Sequence, residues 1–407
     1  MADTVLNFGV IGIGSGARGL LKAFKEHPGY KVTAACDTRQ EALDRFHAEW
    51  GAETFTSVDD FCRNAKVDAV WIATPNHFHA EHVIKAASAK KHVIVSKPMA
   101  TTLDECKAMI DAADRNGVRL IAGHAQGIMP GVRKMAELVQ SGQYGPLGMV
   151  NSWNYTPWIY RPRMPEELNV ATGGGIIFRQ SPHHIDIVRL VAGGMVRSVR
   201  AMTKVMDESR PVPGIFACYL EFEGDIPCTM VYDGYGHFDS AELTHGVVSG
   251  RRQEALVGAG MSREQEEELK EARRFTSTER ERPTNTGPGG GDGDGSGLSP
   301  FGLTIASLQK AAIRQSATGL IIYHDQGERE EIPLQGEPRG WAELTELYGN
   351  VVNGKPIIHD GRWGLATQEV TMAIIESAEQ RKEIQMQYQV PLPKDTFAAY
   401  VGTSYPG

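Results

Sequence analysis

The 407-residue chain has an ordinary globular composition, with 41% hydrophobic and 23% charged residues, so two domains are the natural expectation. A formal net charge of −8 argues against broad binding to nucleic acid or to membrane surfaces. The N-terminus lacks the layout of a signal peptide, no apolar run approaches the length of a membrane span, and the five cysteines are scattered without CxxC pairs. We therefore expect a cytoplasmic protein without a metal site.

The first third of the chain alternates short apolar strands with helices. This alternation predicts a doubly wound parallel sheet with helices on both faces, and we assign it to residues 1–125. The predicted elements in chain order are strand Phe8–Gly12, helix Gly19–His27, strand Tyr30–Cys36, helix Gln40–Glu49, strand Val67–Ala73, helix Ala80–Ala89, strand His92–Val95, helix Thr102–Asn116 and strand Arg119–Gly123.

Longer strands with alternating hydrophobicity follow Gln126 and predict a second α/β domain over residues 126–385, with an open, largely antiparallel sheet. The region near 238–302 is interpreted as a flexible insertion, because a Gly/Pro/Asp-rich run at 283–300 follows the charged helix Met261–Arg274, whose face we expect to be solvated. Residues 386–407 form a predicted tail. The remaining predicted elements are helices Gly131–Ser141, Gly173–Ala192, Trp341–Val352 and Thr367–Ala378, and strands Leu147–Tyr155, Val199–Met206, Ile215–Glu223, Thr229–Tyr235, Leu303–Ser307 and Gly319–His324.

A glycine-rich turn follows the first predicted strand and opens the first predicted helix. It fits the G-x-G-x-x-A pattern, in which glycines allow a tight turn and let a pyrophosphate approach the helix N-terminus. A second strand ends at Asp37, where a carboxylate can accept hydrogen bonds from ribose hydroxyls. We therefore predict NAD, with NADP as the alternative because Arg39 could accommodate a 2′-phosphate; a plain glycine turn beside a solvated aspartate is the other interpretation. The predicted coenzyme-binding residues here are Gly12, Ile13, Gly14, Ser15, Gly16, Ala17, Asp37 and Arg39.

Three residues of the segment at 173–192 are spaced by four and three positions: Arg179, His183 and Asp186. If the segment is a continuous helix, they project from one face. A guanidinium, an imidazole and a carboxylate on one wall could bind an anionic substrate and move a proton. His184 lies about a hundred degrees further around the helix, so we favour His183 as the base, although the residues alone leave both histidines open.

Two further stretches, Ala73–His79 (ATPNHFH) and Ser96–Ala100 (SKPMA), precede this glycine-led helix in an order and spacing that resemble the glucose–fructose oxidoreductase / inositol dehydrogenase (Gfo/Idh/MocA) family. The resemblance implies a Rossmann domain followed by an α/β domain with an open sheet. That sheet carries the substrate site on one side and often an oligomer interface on the other, so we expect a homodimer or homotetramer.

The same resemblance implies roles for individual residues. Lys97 would be the active-site lysine, beside the coenzyme, and His183 the catalytic histidine. The residues implied to line the nicotinamide half of the coenzyme are Thr74, Pro75, Asn76 and His79.

The chain departs from the family pattern at several positions. Ser96 stands where the family often has Glu, Ser181 where it often has Gly, and Gln126 and Gly127 replace a usual arginine. Arg179 stands where the family often has Asp, which disfavours neutral polyol and sugar substrates. Within the family, the stretches at 160–168, 313–316 and 322–323 are most similar to dihydrodiol dehydrogenases that act on phthalate-type diols.

That similarity implies oxidation of a carboxylated aromatic cis-dihydrodiol, such as 4,5-dihydro-4,5-dihydroxyphthalate, to a catechol with hydride transfer to NAD. His183 would be the general base and Lys97 would stabilise charge on the reacting oxygen. Arg179 would bind a ring carboxylate, unless it pairs with Asp186 or another acid. The other candidate substrate contacts are Arg161, Arg163, Trp158 and Asp186.

Two alternatives remain at this stage. One is an NAD(P)-dependent dehydrogenase of a sugar, sugar acid or inositol-like polyol, because Arg179 would also suit a uronate. The other is a non-catalytic, dinucleotide-sensing protein, against which the presence of both Lys97 and His183 argues. In either enzymatic case the expected partner is a small molecule, anionic in the favoured interpretation, and neither nucleic acid nor a membrane.

Overall fold

The computed structural model describes residues 4–123, 127–245, 261–275, 301–338, 340–393 and 396–397, and it contains one parallel and one mixed sheet. The predicted fold class is confirmed. The glycine-rich part of the predicted insertion, at 283–300, lies outside the described residues. Within these ranges every helix is too short or too polar to span a lipid bilayer.

The N-terminal sheet has six parallel strands in the order β3-β2-β1-β4-β5-β6. Because the order reverses between β1 and β4, the crevice at their carboxyl ends is where a ligand binds in such sheets. The chain-order elements are β1 Leu6–Ile11, α1 Ser15–Glu26, β2 Tyr30–Cys36, α2 Gln40–Trp50, β3 Glu53–Phe55, α3 Val58–Asn64, β4 Ala69–Ile72, α4 His79–Ser88, β5 His92–Ser96, α5 Leu103–Asn116 and β6 Leu120–Gly123.

The second sheet has nine strands in the order β14-β13-β12-β11-β7-β10-β9-β8-β15. Its pairs are antiparallel except β7 with β10, which are parallel. The remaining elements are α6 Pro130–Gln140, β7 Leu147–Tyr155, α7 Gly175–Arg179, α8 Ser181–Ala192, β8 Val196–Lys204, β9 Ile215–Phe222, β10 Ile226–Asp233, α9 Ala241–His245, α10 Arg263–Phe275, β11 Leu303–Leu308, β12 Ala311–Gln315, β13 Gly319–His324, β14 Arg329–Pro333, α11 Trp341–Asn353, α12 Gly361–Gln380 and β15 Ile384–Gln385.

Helices cover one face of the second sheet, and in the described part of the chain the other face carries exposed side chains. Helices α6, α8 and α12 pack on the inner face, where Val150, Phe216 and Leu220 belong to one large core cluster. The strand register places a set of large side chains on the opposite face, each between 37% and 52% exposed. These outer-face residues are Met149, Trp153, Met202, Tyr219 and Tyr323.

The last third of the chain returns to the N-terminal sheet. Trp341 and Leu344 of α11 pack into the same core cluster as Phe8 of β1. The amide of Ala122 in β6 donates a 2.9 Å hydrogen bond to the carbonyl of His359, which lies just before α12. The last third of the chain therefore ties the second sheet to the N-terminal sheet.

Candidate active site

The glycine turn between β1 and α1 has the geometry that close approach of a diphosphate requires. Gly12 adopts a φ of +87°, and a Cβ there would lie 2.9 Å from the backbone of Ala73 and Thr74. Gly14 is the N-cap residue of α1, and this glycine provides no side-chain cap for the helix. A Cβ added at Gly14 would meet only Arg39 Nη2, at 3.8 Å. The start of α1 therefore presents backbone amides to open space, which fits an anionic dinucleotide.

Asp37 and Arg39 form a bidentate ion pair at the predicted ribose position. Arg39 Nε donates to Oδ1 at 2.8 Å and Nη2 to Oδ2 at 3.0 Å, while the amides of Ile13 and Arg39 donate at 3.0 and 3.1 Å. Burial alone would raise the pKa of Asp37, but the hydrogen bonds and charge of Arg39 hold this pKa below its usual value. The carboxylate accepts four protein donors, so ribose hydroxyls would compete with Arg39 for it.

The imidazole ring of His79 holds the segment after β4 in place through hydrogen bonds to backbone carbonyls. Its Nδ1 lies 2.9 Å from the carbonyl oxygen of Pro98, and its Nε2 lies 2.9 Å from that of Thr74. The ring is fully buried, and burial lowers the pKa of His79 to about 4. The expectation that His79 touches the coenzyme is wrong, because its ring has no exposed surface; it positions Thr74 and Pro98 instead.

Its neighbours in this segment remain accessible. Pro75 is exposed, and Thr74 Oγ1 lies 3.0 Å from Nδ1 of His82. Asn76 Nδ2 donates a 3.2 Å hydrogen bond to the carbonyl of Gly173. The segment predicted to line the nicotinamide site therefore contacts the glycine turn that leads to α7.

Lys97 lies directly after β5 and reaches the segment that carries the predicted substrate residues. Its Nζ donates a hydrogen bond to the carbonyl oxygen of Arg179. The preceding Ser96 accepts a 3.0 Å hydrogen bond from Trp71 Nε1. The half-buried ammonium of Lys97 therefore lies where the coenzyme-binding domain meets the second domain.

The continuous helix expected over 173–192 is wrong. Helix α7 ends at Arg179, Gln180 has φ −124° and ψ −41°, and α8 begins at Ser181 with Pro182 in its first turn. Proline cannot donate the amide that would continue a helix but fits at a helix start. The break separates Arg179 from His183, so these side chains do not share a helix face.

The two adjacent histidines occupy different environments. His184 is fully buried, with Nε2 2.6 Å from Ser152 Oγ and its ring against Phe216 and Phe301. Burial lowers the pKa of His184 to about 3, so it stays neutral and cannot reach a ligand. His183, in the first turn of α8, is 4% exposed as a whole residue, and its ring lies 5.5 Å from the ring of Phe301. His183 is thus the better candidate base.

Asp186 points away from the site. It is fully buried, Oδ1 accepts a 2.6 Å hydrogen bond from Trp363 Nε1, and Oδ2 lies 3.1 Å from Nε2 of His359. The expectation of a substrate contact at Asp186 is wrong, because the carboxylate has no exposed surface. Because Asp186 lies three residues after His183 in α8, its side chain faces α12 rather than a ligand.

Arg179 pairs with an acid that sequence reasoning missed. Its Nη2 lies 2.8 Å from Oε1 of Glu167, whose other oxygen accepts hydrogen bonds from the amide of Met164, at 2.8 Å, and from Lys270. Arg163 Nη1 is 3.7 Å from the same carboxylate. The four-residue spacing of Arg163 and Glu167 was the available signal, although Glu167 lies in a short 3₁₀ turn, Pro165–Leu168, rather than in an α-helix.

Arg163 and Trp158 are used within the fold. The guanidinium of Arg163 stacks 3.5 Å from the centre of the Trp158 ring and donates a 2.6 Å hydrogen bond to its carbonyl. Both side chains are buried. The two side chains therefore cover each other, and substrate contacts at Arg163 and Trp158 stay predictions. Arg161, by contrast, is exposed.

Positive charges accumulate around Arg163. Burial lowers its pKa well below the usual range, and the charges of Arg161, Arg179 and Arg210 act in the same direction. Because like charges within a few ångströms raise one another's energy, this region favours the arrival of an anion. We refer to Arg161, Arg163, Arg179 and Arg210 as the positive cluster, in which Glu167 pairs with Arg179 and Glu266 with Arg210.

Helix α10 is not the solvated helix that its charge pattern predicts. Glu266 is buried, pairs with Arg210 and accepts a 3.3 Å hydrogen bond from the amide of Arg163. Lys270 pairs with Glu167, and the charge of Glu271 contributes to raising the pKa of Arg39. One side of α10 therefore packs against the positive cluster, and the helix extends toward the coenzyme end.

The chain matches two family models and a curated relative over most of its length. Residues 6–124 match the family model described as "Oxidoreductase family, NAD-binding Rossmann fold", and residues 132–244 match the Gfo/Idh/MocA C-terminal domain. The chain is 30% identical over 379 residues to the 1-carboxy-3-chloro-3,4-dihydroxycyclohexa-1,5-diene dehydrogenase of Comamonas testosteroni, covering 92% of this chain and 95% of that protein. The chain belongs to the Gfo/Idh/MocA family. This family member is therefore an oxidoreductase whose coenzyme is a nicotinamide dinucleotide.

Two other similarities place this Gfo/Idh/MocA protein more broadly. A solved structure of a protein from Bordetella bronchiseptica RB50, described as a dehydrogenase, has a TM-score of 0.85 at 33% identity and covers 94% of this chain and 100% of that one. An inositol 2-dehydrogenase of Salmonella typhimurium LT2 is 30% identical over 156 residues, 37% of this chain and 46% of that protein. Among the described residues, no group of three His, Cys, Asp or Glu side chains has the arrangement of a metal site.

Proposed function

We propose that the protein oxidises a carboxylated aromatic cis-dihydrodiol, such as 4,5-dihydro-4,5-dihydroxyphthalate, to the corresponding catechol with NAD. The observation that carries the proposal is the contact between Lys97 and the backbone of Arg179, since it joins the candidate catalytic lysine to a guanidinium in one site. The Comamonas relative, which matches nearly the full chain, is a dehydrogenase of a carboxylated dihydroxycyclohexadiene by its name.

The chemistry assigns separate tasks to these side chains. His183 removes the proton of one substrate hydroxyl, because a neutral imidazole is suited to proton transfer near pH 7. The Lys97 ammonium, which has three donors, hydrogen-bonds the same oxygen and stabilises the negative charge that develops on it. When bound, the nicotinamide coenzyme accepts the hydride from the carbinol carbon. The hydroxy-enone that results tautomerises to a catechol, so aromatisation favours the forward reaction.

Arg179 is proposed to bind the ring carboxylate. Its side chain is 31% exposed, and Glu167 holds one edge of the guanidinium in place. Arg161, exposed on the loop before Glu167, is a candidate for a second carboxylate. NAD is the proposed coenzyme, because Asp37 remains a carboxylate and repels a 2′-phosphate.

NAD reduction by the purified protein tests the proposal. Enzymatically prepared phthalate 4,5-cis-dihydrodiol is compared with myo-inositol, glucose and a uronic acid, and product absorbance is followed for a catechol. Rapid reduction with the dihydrodiol and catechol formation are the expected result. Reduction with only a polyol or a uronate would overturn the substrate while leaving the family and coenzyme intact; the inositol 2-dehydrogenase similarity makes that the second candidate.

Substitution of Arg179 by glutamine gives a sharper test of carboxylate binding. We expect kcat/KM for the carboxylated diol to fall by about 10- to 100-fold, since one charge-assisted hydrogen bond contributes roughly 1.5–3 kcal/mol. The neutral cis-dihydrodiol of benzene should show no comparable loss. Arg197→Gln, which removes an exposed arginine that pairs with Glu221 and Asp225 in the second sheet, is the control for loss of a positive charge. Equal losses with the charged and neutral diols would rule out the proposed contact.

We also propose that the protein is a homo-oligomer that uses the outer face of the second sheet. This face exposes Met149, Trp153, Met202, Tyr219 and Tyr323 together, an apolar patch of the kind that marks an interface. Sedimentation velocity should show a dimer or tetramer, and Tyr219→Glu should shift it toward monomer. A monomeric wild-type protein at micromolar concentration would refute this.

The protein is proposed to work in the cytoplasm, where its five buried thiols would stay reduced.

A further inference from the structure

A fully buried imidazole lies between two carboxylates behind the candidate active site. Nε2 of His359 is 3.1 Å from Oδ2 of Asp186, and its Nδ1 is 3.2 and 3.3 Å from the two oxygens of Glu346. The exposed fractions of these three side chains are 0%, 0% and 2%. We refer to Asp186, His359 and Glu346 as the buried triad.

The geometry calls for a charged imidazole. A neutral ring carries one N–H and can donate to one carboxylate, whereas an imidazolium donates to both. Burial opposes the charged form, but Asp186 and Glu346 together outweigh it and raise the pKa of His359 well above its usual value. The triad then carries one net negative charge, and the buried guanidinium of Arg189, whose pKa is affected by Asp186, is a nearby counter-charge.

The three members come from different parts of the fold. Asp186 is in α8, one turn after His183. Glu346 is in α11, which packs in the core of the coenzyme-binding sheet. His359 precedes α12, and its carbonyl accepts the amide of Ala122 in the last strand of that sheet. The triad therefore connects the helix that carries the candidate base to the coenzyme-binding domain.

The triad is closely packed as well as hydrogen-bonded. A Cβ on Gly127, in the segment entering the second domain, would lie 1.6 Å from Oδ2 of Asp186. Trp363 donates to the other Asp186 oxygen, and the amides of Ile358 and His359 donate to Glu346 at 3.3 and 3.4 Å. Since buried ion groups seldom add net stability compared with apolar packing, such an arrangement is better explained by a need for defined geometry.

We propose that His359 is a positioning residue that bridges Asp186 and Glu346 and thereby fixes α8, with His183 in its first turn, relative to the coenzyme-binding domain. Hydride transfer needs the reacting atoms within about 3–3.5 Å, so a small displacement of α8 lowers the rate of chemistry without weakening coenzyme binding. Asp186 and Glu346 act through the same bridge. The placement of the triad does not depend on the substrate, although the kinetic test uses the activity proposed above.

The test compares His359→Gln with wild type. We expect kcat to fall by about 10- to 100-fold, as for other residues that orient catalytic groups, while KM and the dissociation constant for NADH change less than about threefold. The primary deuterium isotope effect on kcat should rise, because chemistry becomes more rate-limiting. A fall in kcat that only reflects less folded protein, with an unchanged isotope effect, would overturn the proposal.

Two further variants serve as control and reserve. Arg133→Gln breaks the half-buried ion pair with Glu337, at 2.6 and 3.0 Å, in the second domain and should lower Tm without changing kcat per folded molecule. If His359→Gln does not fold, Glu346→Ala is the reserve variant. It removes one carboxylate but leaves the bridge to Asp186, and it should give a smaller change of the same kind. Normal kcat and isotope effect in Glu346→Ala would contradict the proposal.

Hydrogen exchange gives a readout that needs no substrate. In His359→Gln, the amides of α8 should exchange faster than in wild type, while those of β2 should not. Unchanged exchange in α8 would refute the positioning role even if the substrate proposal succeeds. Faster exchange in α8 with no turnover on any tested diol or polyol would instead support the triad and refute the substrate proposal.

Discussion

Replacing Lys97 with alanine should lower kcat by about 10²–10³-fold, the usual cost of removing one donor to a developing negative charge. The coenzyme should still bind, because the glycine turn and Asp37 are distant in the chain from this lysine and form their own contacts. Steady-state NAD reduction gives kcat, and quenching of protein fluorescence by NADH gives the dissociation constant.

Lys91 supplies the matched control. Its Nζ also donates to a backbone carbonyl, that of Ala65 at 2.8 Å, but it lies at the opposite end of β5 from Lys97. Lys91→Ala should change stability and leave kcat unaltered. Wild-type turnover in Lys97→Ala would exclude the proposed mechanism, and loss of NADH binding in that variant would show that Lys97 mainly holds the coenzyme.

Substitution of Gly12 by alanine should weaken coenzyme binding by at least about 100-fold, or roughly 2.7 kcal/mol. The left-handed φ of +87° disfavours any side chain, and the added Cβ would be 2.9 Å from the Ala73 and Thr74 backbone. Relief of this contact must move the turn away from the crevice at β1 and β4. Isothermal titration of NADH into each protein measures the effect.

Gly51 is a control that separates the cost of a left-handed backbone conformation from the cost of the steric contact at Gly12. Its φ is +63°, and an added Cβ there would meet nothing within 4 Å. Gly51→Ala should lower Tm by an amount that reflects the left-handed conformation alone and should bind NADH normally. Near-normal NADH binding by Gly12→Ala would mean that the turn does not form the coenzyme site.

The sheets were largely predictable because hydrophobic runs of period two report burial directly. Strand Tyr30–Cys36 and strand Leu147–Tyr155 have the predicted bounds. Strands β3, β12, β14 and the two-residue β15 were missed. Strands β3 and β14 have few buried side chains, β12 alternates buried residues over only five positions, and β15 is too short to carry a periodic signal. The break at Gln180 was also missed, although Pro182 was its visible cause.

The candidate site was predictable where a motif is local and less so where partners are distant in the chain. The glycine turn and Lys97 lie where the motifs indicate. Asp186 was misassigned because helical spacing says which face a side chain shares but not what packs on that face. Its partner His359 is 173 residues away. Likewise, nothing in the sequence near Arg179 indicates Lys270, which contacts the same glutamate from α10.

Helix α10 contributes charged side chains from outside the part of the chain that matches the C-terminal family model. It lies after residue 244, where the match to the C-terminal family model ends, yet its Lys270 and Glu266 contact Glu167 and Arg210 beside the positive cluster. The charge around Arg163 and Arg179 is therefore set partly by side chains that lie outside the family-model match and far along the chain from the coenzyme turn and the triad.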